Sequence, residues 1–106
     1  EDLPVPLSPL PPRCPHCAGL ARPAVVWFGE PLDPAVLSAA RAACHCDLFL
    51  SIGTSAVVYP AAGLVAEAKT NGARTVEINP DATAASSLVD IAIAAPAEEA
   101  LPALLG

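Results

Sequence analysis

Methionine is absent from the 106 residues, and aromatic side chains make up only 4% of them. A core here has to be assembled from Ala, Val, Leu and Ile rather than from large rings. Basic residues are scarce: five Lys and Arg stand against eleven Asp and Glu, for a net charge of −6. Nucleic acid and anionic membranes bind basic faces, so neither is expected as a partner. No apolar run is long enough to span a bilayer, and no charged-then-apolar leader opens the chain. An intact translation product starts with Met, whereas this chain starts with Glu1, so a processed or truncated piece is expected. Four Cys without a secretory leader read as metal ligands or buried thiols rather than disulfides, which suits a cytoplasmic protein.

What is present is mostly aliphatic. The chain is 54% hydrophobic, enough to fold, and its length suits one domain with a modest core. Residues 1–13 hold Pro4, Pro6, Pro9, Pro11 and Pro12 and read as an extended linker, since proline at that density sustains neither helix nor central strand. Residues 14–24 follow as a small module built on Cys14 and Cys17. Two thiolates at C-x2-C spacing can curl round one tetrahedral Zn²⁺, but a structural site takes four ligands. Cys44 and Cys46 are a conceivable second pair; as a C-x-C step before an apolar strand they read better as half-buried packing residues. His16, inside the knuckle, and His45, between helix and strand, are given no catalytic role.

Residues 25–106 alternate apolar runs with amphipathic stretches, the pattern of an α/β fold with a parallel sheet and flanking helices. Strands are predicted at Val25–Phe28, Leu48–Ile52, Thr75–Ile78 and Ile91–Ala94, all parallel neighbours. The Leu48–Ile52 run has no helical period and suits a strand buried on both faces. Asp33-Pro34 predicts a helix start, with Val36, Leu37, Ala40 and Ala43 as its apolar stripe. A second helix is predicted from Pro60 to a stop at Asn71-Gly72, and a short last one within Glu98–Leu105 despite Pro102. Gly53-Thr54-Ser55 closes one strand and Asn79-Pro80-Asp81 the next. Parallel strands joined by a helix end on the same side of the sheet, where a sugar hydroxyl could bridge them. On its own, G-T-S is a weak nucleotide motif.

In combination the motifs are specific. C-P-H-C-A-G, R-P-A-V-V-W-F-G-E, G-T-S-A-V-V-Y-P and E-I-N-P, in that order from Cys14 onward, resemble the C-terminal half of the sirtuins, NAD-dependent protein-lysine deacylases, and most of all the class III and bacterial-type members. The resemblance implies a Rossmann-like NAD-binding fold, the deoxyhypusine-synthase-like type, with part of a zinc module. It implies that Gly53, Thr54 and Ser55 hold the phosphate and ribose region of NAD, that Asn79, Pro80 and Asp81 meet the adenosine ribose, and that Ala97 lies against the adenine. Val26, Phe28, Gly29 and Glu30 would line the acyl-lysine tunnel and one side of a peptide groove, with Val57, Val58 and Tyr59 on the other. Acyl-lysine proteins or peptides are the implied partners, and Cys14 and Cys17 the second pair of a structural zinc site. The family's G-A-G-x-S loop, Q-N-x-D segment, catalytic His and first C-x2-C do not occur in these residues. The 106 residues alone are therefore expected to be inactive, the alternative reading being a non-catalytic nucleotide-binding module on a related fold.

Overall fold

The computed structural model describes residues 9–106; Pro4 and Pro6 of the predicted linker lie outside them. Two compact units divide the chain, Glu1–Leu32 and Asp33–Gly106.

In the first unit the chain doubles back around the C-x2-C. Arg13 bridges Leu20 in antiparallel fashion. The Cys14 amide donates to the Gly19 carbonyl at 2.8 Å, and the Ala18 amide to the Cys14 carbonyl at 2.9 Å. Ala18 takes a left-handed φ of 57° to make the return, and the Arg13 guanidinium braces it by donating to the Ala18 carbonyl.

The predicted strand at Val25–Phe28 does not form. It was expected from its β-branched and aromatic composition, but the segment is an exposed turn. Its backbone finds local partners instead. The Glu30 carboxylate accepts from the Trp27 amide at 3.0 Å, and the Glu30 amide donates to the Trp27 carbonyl. Arg22 holds that carboxylate from the other side, at 2.6 and 3.0 Å. Residues 25–32 thus group with the knuckle rather than with the sheet.

In the second unit the order is α1 (Pro34–Ala43), β1 (Leu48–Ile52), a 3₁₀ turn (Ala61–Gly63), α2 (Leu64–Thr70), β2 (Arg74–Ile78), β3 (Ile91–Ile93) and α3 (Ala97–Leu105). Helix α1 starts as predicted: the Asp33 carboxylate caps it, accepting from the Ala35 amide at 2.8 Å, with Pro34 in the first turn. Pro60 precedes the 3₁₀ turn rather than opening α2, and α2 stops at Asn71, followed by Gly72 at φ 91°. Pro102 lies within α3. Its missing N–H leaves one gap in the ladder of an exposed helix.

Among the described residues the sheet has three strands in the order β1-β2-β3, parallel throughout, with Leu48 opposite Arg74, Ile52 opposite Ile78, and Ile78 opposite Ile93. Central β2 is buried from Thr75 to Ile78. Side chains alternate between faces. On one face Val76 and Ile78 pack with Ala100 of α3, Ile93 and Leu101. On the other Phe49 packs against the buried cluster of Cys44, Ala68 and Ala73.

The sequence suggested that β1 is buried on both faces; the structure buries one. Leu48, Leu50 and Ile52 share the α3 face through their register with β2, yet they remain 54%, 45% and 38% exposed. Helix α3 packs over the neighbouring strands, and no described element covers β1 on that side.

Candidate functional site

The carboxyl ends of the three strands are linked in sequence. The Gly53 amide donates to the Ile78 carbonyl at 3.0 Å, and the Asn79 amide to the Ile93 carbonyl at 3.1 Å. Gly53 has φ 62° with open space around its Cβ position; the backbone conformation, rather than crowding, calls for glycine there. Ala56 also adopts a left-handed φ, 52°, as its amide turns back to the Thr54 hydroxyl at 3.3 Å. The chain leaving β1 is therefore a tight, internally bonded loop.

Asn79 ties two strand ends together. Its Nδ2 donates to the Thr54 carbonyl at 2.9 Å, and its Oδ1 accepts from the Asp81 amide at 3.2 Å. Beside it opens a mixed polar cleft of about 300 Å³ lined by Gly53, Ser55, Asn79, Asp81, Ala82 and Thr83. Of the residues implicated in the sequence, Gly53, Ser55, Asn79 and Asp81 come together here, and Thr54 joins through its carbonyl. Thr54 and Val58 also line a more apolar cleft of about 220 Å³ between β1 and the following turn. Pro80 is exposed, and Ala97 is half-buried as the first residue of α3; neither lines the 300 Å³ cleft.

Sequence reasoning passed over Glu77, Ala82, Thr83 and Ser86. Glu77 is 3% exposed and takes hydrogen bonds from the hydroxyls of Thr83 and Ser86. The available signal was a carboxylate in the middle of a buried strand, followed within ten residues by T-A-A-S.

Of the peptide-groove candidates, Val57, Val58 and Tyr59 are exposed on the loop after β1, with the Tyr59 ring over Gly63. In the first unit Val26 is 52% and Phe28 92% exposed, and Gly29 turns with φ 87°. The Glu30 carboxyl is held below its usual range, first by the Arg22 guanidinium and then by the Trp27 amide. Arg22 also lies over the Trp27 ring, 4.4 Å from its centre.

At the knuckle, the Cys14 thiol is pushed down by the amides of His16 and Cys17 and by the Cys17 side chain. Donors gathered on Cys14 favour thiolate, the form that binds metal. The two sulfurs fit half of a tetrahedral site; among the described residues no cluster of three or more His, Cys, Asp or Glu is arranged to hold a metal. Cys44 is fully buried, its Sγ donating to the Ala40 and Leu64 carbonyls, and burial pushes its thiol up. It is a packing residue, with Cys46 half-buried beside it. His45 lies before β1, at the opposite end of that strand from the cleft.

A three-stranded parallel sheet with flanking helices and a polar cleft at its carboxyl edge defines a Rossmann-like α/β domain. The sequence profile of the Sir2 family matches residues 4–60, and the chain belongs to that family. It is 50% identical over 96 residues to NAD-dependent protein deacylase 1 of Pseudomonas aeruginosa, covering 90% of this chain and 38% of that protein. Against the NAD-dependent protein deacylase of Mycobacterium leprae it is 45% identical over 105 residues, covering 98% of this chain and 44% of the relative. A solved Sir2 homolog–NAD complex superposes with a TM-score of 0.86 at 42% identity, covering 93% of this chain and 39% of that one. A Sir2–p53 peptide–NAD⁺ structure superposes at 0.79 with 29% identity, covering 89% of this chain and 40% of that one. The chain thus spans about two fifths of the length of these relatives.

Proposed function

We propose that this chain is the NAD-holding portion of an NAD-dependent protein-lysine deacylase. The observation that carries the reading is the cleft where β1 and β2 end, with Gly53, Ser55, Asn79 and Asp81 converging on it. Bound there, NAD would supply the ADP-ribose that accepts the acyl group and the nicotinamide that leaves. The chain's own part is to bind and orient. The Ser55 hydroxyl and the loop amides after Gly53 present donors to phosphate and ribose oxygens. The Asp81 carboxylate accepts from ribose hydroxyls, and Asn79 keeps the two strand ends at fixed separation. Val26, Phe28, Gly29 and Glu30, and separately Val57, Val58 and Tyr59, are the segments we assign to an extended acyl-lysine peptide, whose backbone would pair as an added strand. Cys14 and Cys17 would supply two of four ligands to a structural Zn²⁺, a closed site with no position for substrate. A cytoplasmic location belongs to the same reading; it is supported by four cysteines that form no disulfide.

The test is nicotinamide release in step with deacylation of acetyl-, succinyl- or malonyl-lysine peptides. The intact protein should show both, and residues 1–106 alone neither. A missing general base costs about 10²–10⁴ in rate, and lost orientation adds to that. Ser55→Ala and Asn79→Ala should act mainly by raising the KM for NAD. Nucleotide binding by the intact protein without nicotinamide release would favour the non-catalytic module instead.

A further inference from the structure

We propose that Glu77 is a positioning residue for the nucleotide cleft: its buried carboxylate tethers the loop after β2 through Thr83 and Ser86 and so sets the wall formed by Asp81, Ala82 and Thr83. The inference rests on the reading of that cleft as the NAD site.

The geometry leaves the two tethering hydroxyls little choice. The Thr83 hydroxyl oxygen already accepts from the Ala85 amide at 3.0 Å, and the Ser86 hydroxyl oxygen accepts from the Thr83 amide at 2.8 Å. Thr83 and Ser86 thereby cap their own short turn, a reciprocal arrangement of the capping-box kind. Each hydroxyl then has one proton to place, and the structure directs the two protons to the two oxygens of Glu77. A carboxylate offers only acceptors and satisfies both; an amide would turn one of them into a donor aimed at a hydroxyl. A carboxylate in the centre of a sheet is costly unless it is hydrogen-bonded, and the loop is what satisfies it.

The tether acts on the cleft because of where it sits. Glu77 stands two residues before Asn79 on β2, and Thr83 both binds Glu77 and lines the cleft. A smaller, largely apolar cavity of about 120 Å³ adjoins the cleft and shares Asn79, Asp81 and Ala82 with it, with Glu77, Ser86 and Ile93 also in its lining. A loop released from Glu77 has room to shift there, changing where Asp81 and Ala82 stand against the ligand.

The experiment uses the intact protein with Glu77→Gln and Ser86→Ala. It reads ADP-ribose affinity by calorimetry, KM for NAD and for an acyl-lysine peptide, and melting temperature to keep each assay on folded protein. Glu77→Gln should weaken ADP-ribose by about tenfold, and Ser86→Ala, which removes one tether of two, by about threefold. The KM for NAD should rise in parallel while the KM for the peptide stays put. If wild type binds ADP-ribose and both variants bind it equally well, the positioning role is wrong and the NAD site stands. A rise in both KM values together would mark a general structural role and equally overturn it. If wild type binds no ADP-ribose, the reading of the cleft falls and takes this inference with it. Should Glu77→Gln fail to fold, Ser86→Ala decides by the same criteria.

Discussion

Asp90 shows what a single side chain contributes to this fold. It accepts from the Thr75 amide at 2.9 Å and the Thr75 hydroxyl at 3.0 Å, and from Lys69 at 2.9 Å, while its own amide donates to the Thr75 hydroxyl. These bonds fasten the entry of β3 to β2. The Thr75 amide first, then Lys69 and the Thr75 hydroxyl, pull the Asp90 pKa from 3.8 down to about 2. A depressed carboxyl pKa means that folding favours the ionised form. The stability it lends is complete above the ordinary 3.8 and is lost as the pH falls toward 2. Asp90→Asn should therefore melt below wild type near pH 7, with the gap narrowing as the pH falls through that window. Thermal melts across it would decide, and a gap independent of pH would refute the assignment. At this scale the sequence was partly legible. Gly53, Ser55, Asn79 and Asp81 stood out because they end apolar strands in small or polar residues. Glu77 did not, because its value depends on partners that fold back onto it from the loop after β2.

Elements were legible where local and tertiary preferences agree. Leu48–Ile52, Thr75–Ile78 and Ile91–Ile93 are apolar runs that the parallel sheet absorbs, and Asp33-Pro34 starts a helix by chemistry that needs no tertiary help. Val25–Phe28 shows the converse. Its composition favours a strand, but β propensity largely reports packing against neighbouring strands, and Arg22 and Glu30 bind its backbone into a turn. Glu30→Gln should loosen that turn by leaving Arg22 without its two-point partner. The pair is half exposed, at 50% and 38%, so global stability should change little. Trp27, the sole tryptophan, sits under Arg22 and should report the change as an altered emission spectrum. An unchanged spectrum would mean that the turn is held by something else.

At the scale of the whole molecule, the fold class was readable from alternation alone, and the division at Leu32 was not, because it follows from hydrogen bonds within 22–30. The knuckle sets a clear expectation for metal. Residues 1–106 produced alone should carry well under one zinc per chain after dialysis, since Cys14 and Cys17 offer two of the four ligands that a structural site takes. One tightly held zinc lost on changing Cys44 or Cys46 would show that the packing role of that pair had been misjudged. The bare side of β1 has a different kind of consequence, for anyone who handles this chain in a tube. Among the described residues, strand β1 ends the sheet with one pairing partner and carries Leu48, Leu50 and Ile52 outward. Such a rim is a template for sticking to its own kind. Turbidity should climb with protein concentration well before the fold melts, and Leu50→Lys should postpone it. Shelf life, rather than thermal endurance, would then set the practical limit on studying these residues in isolation.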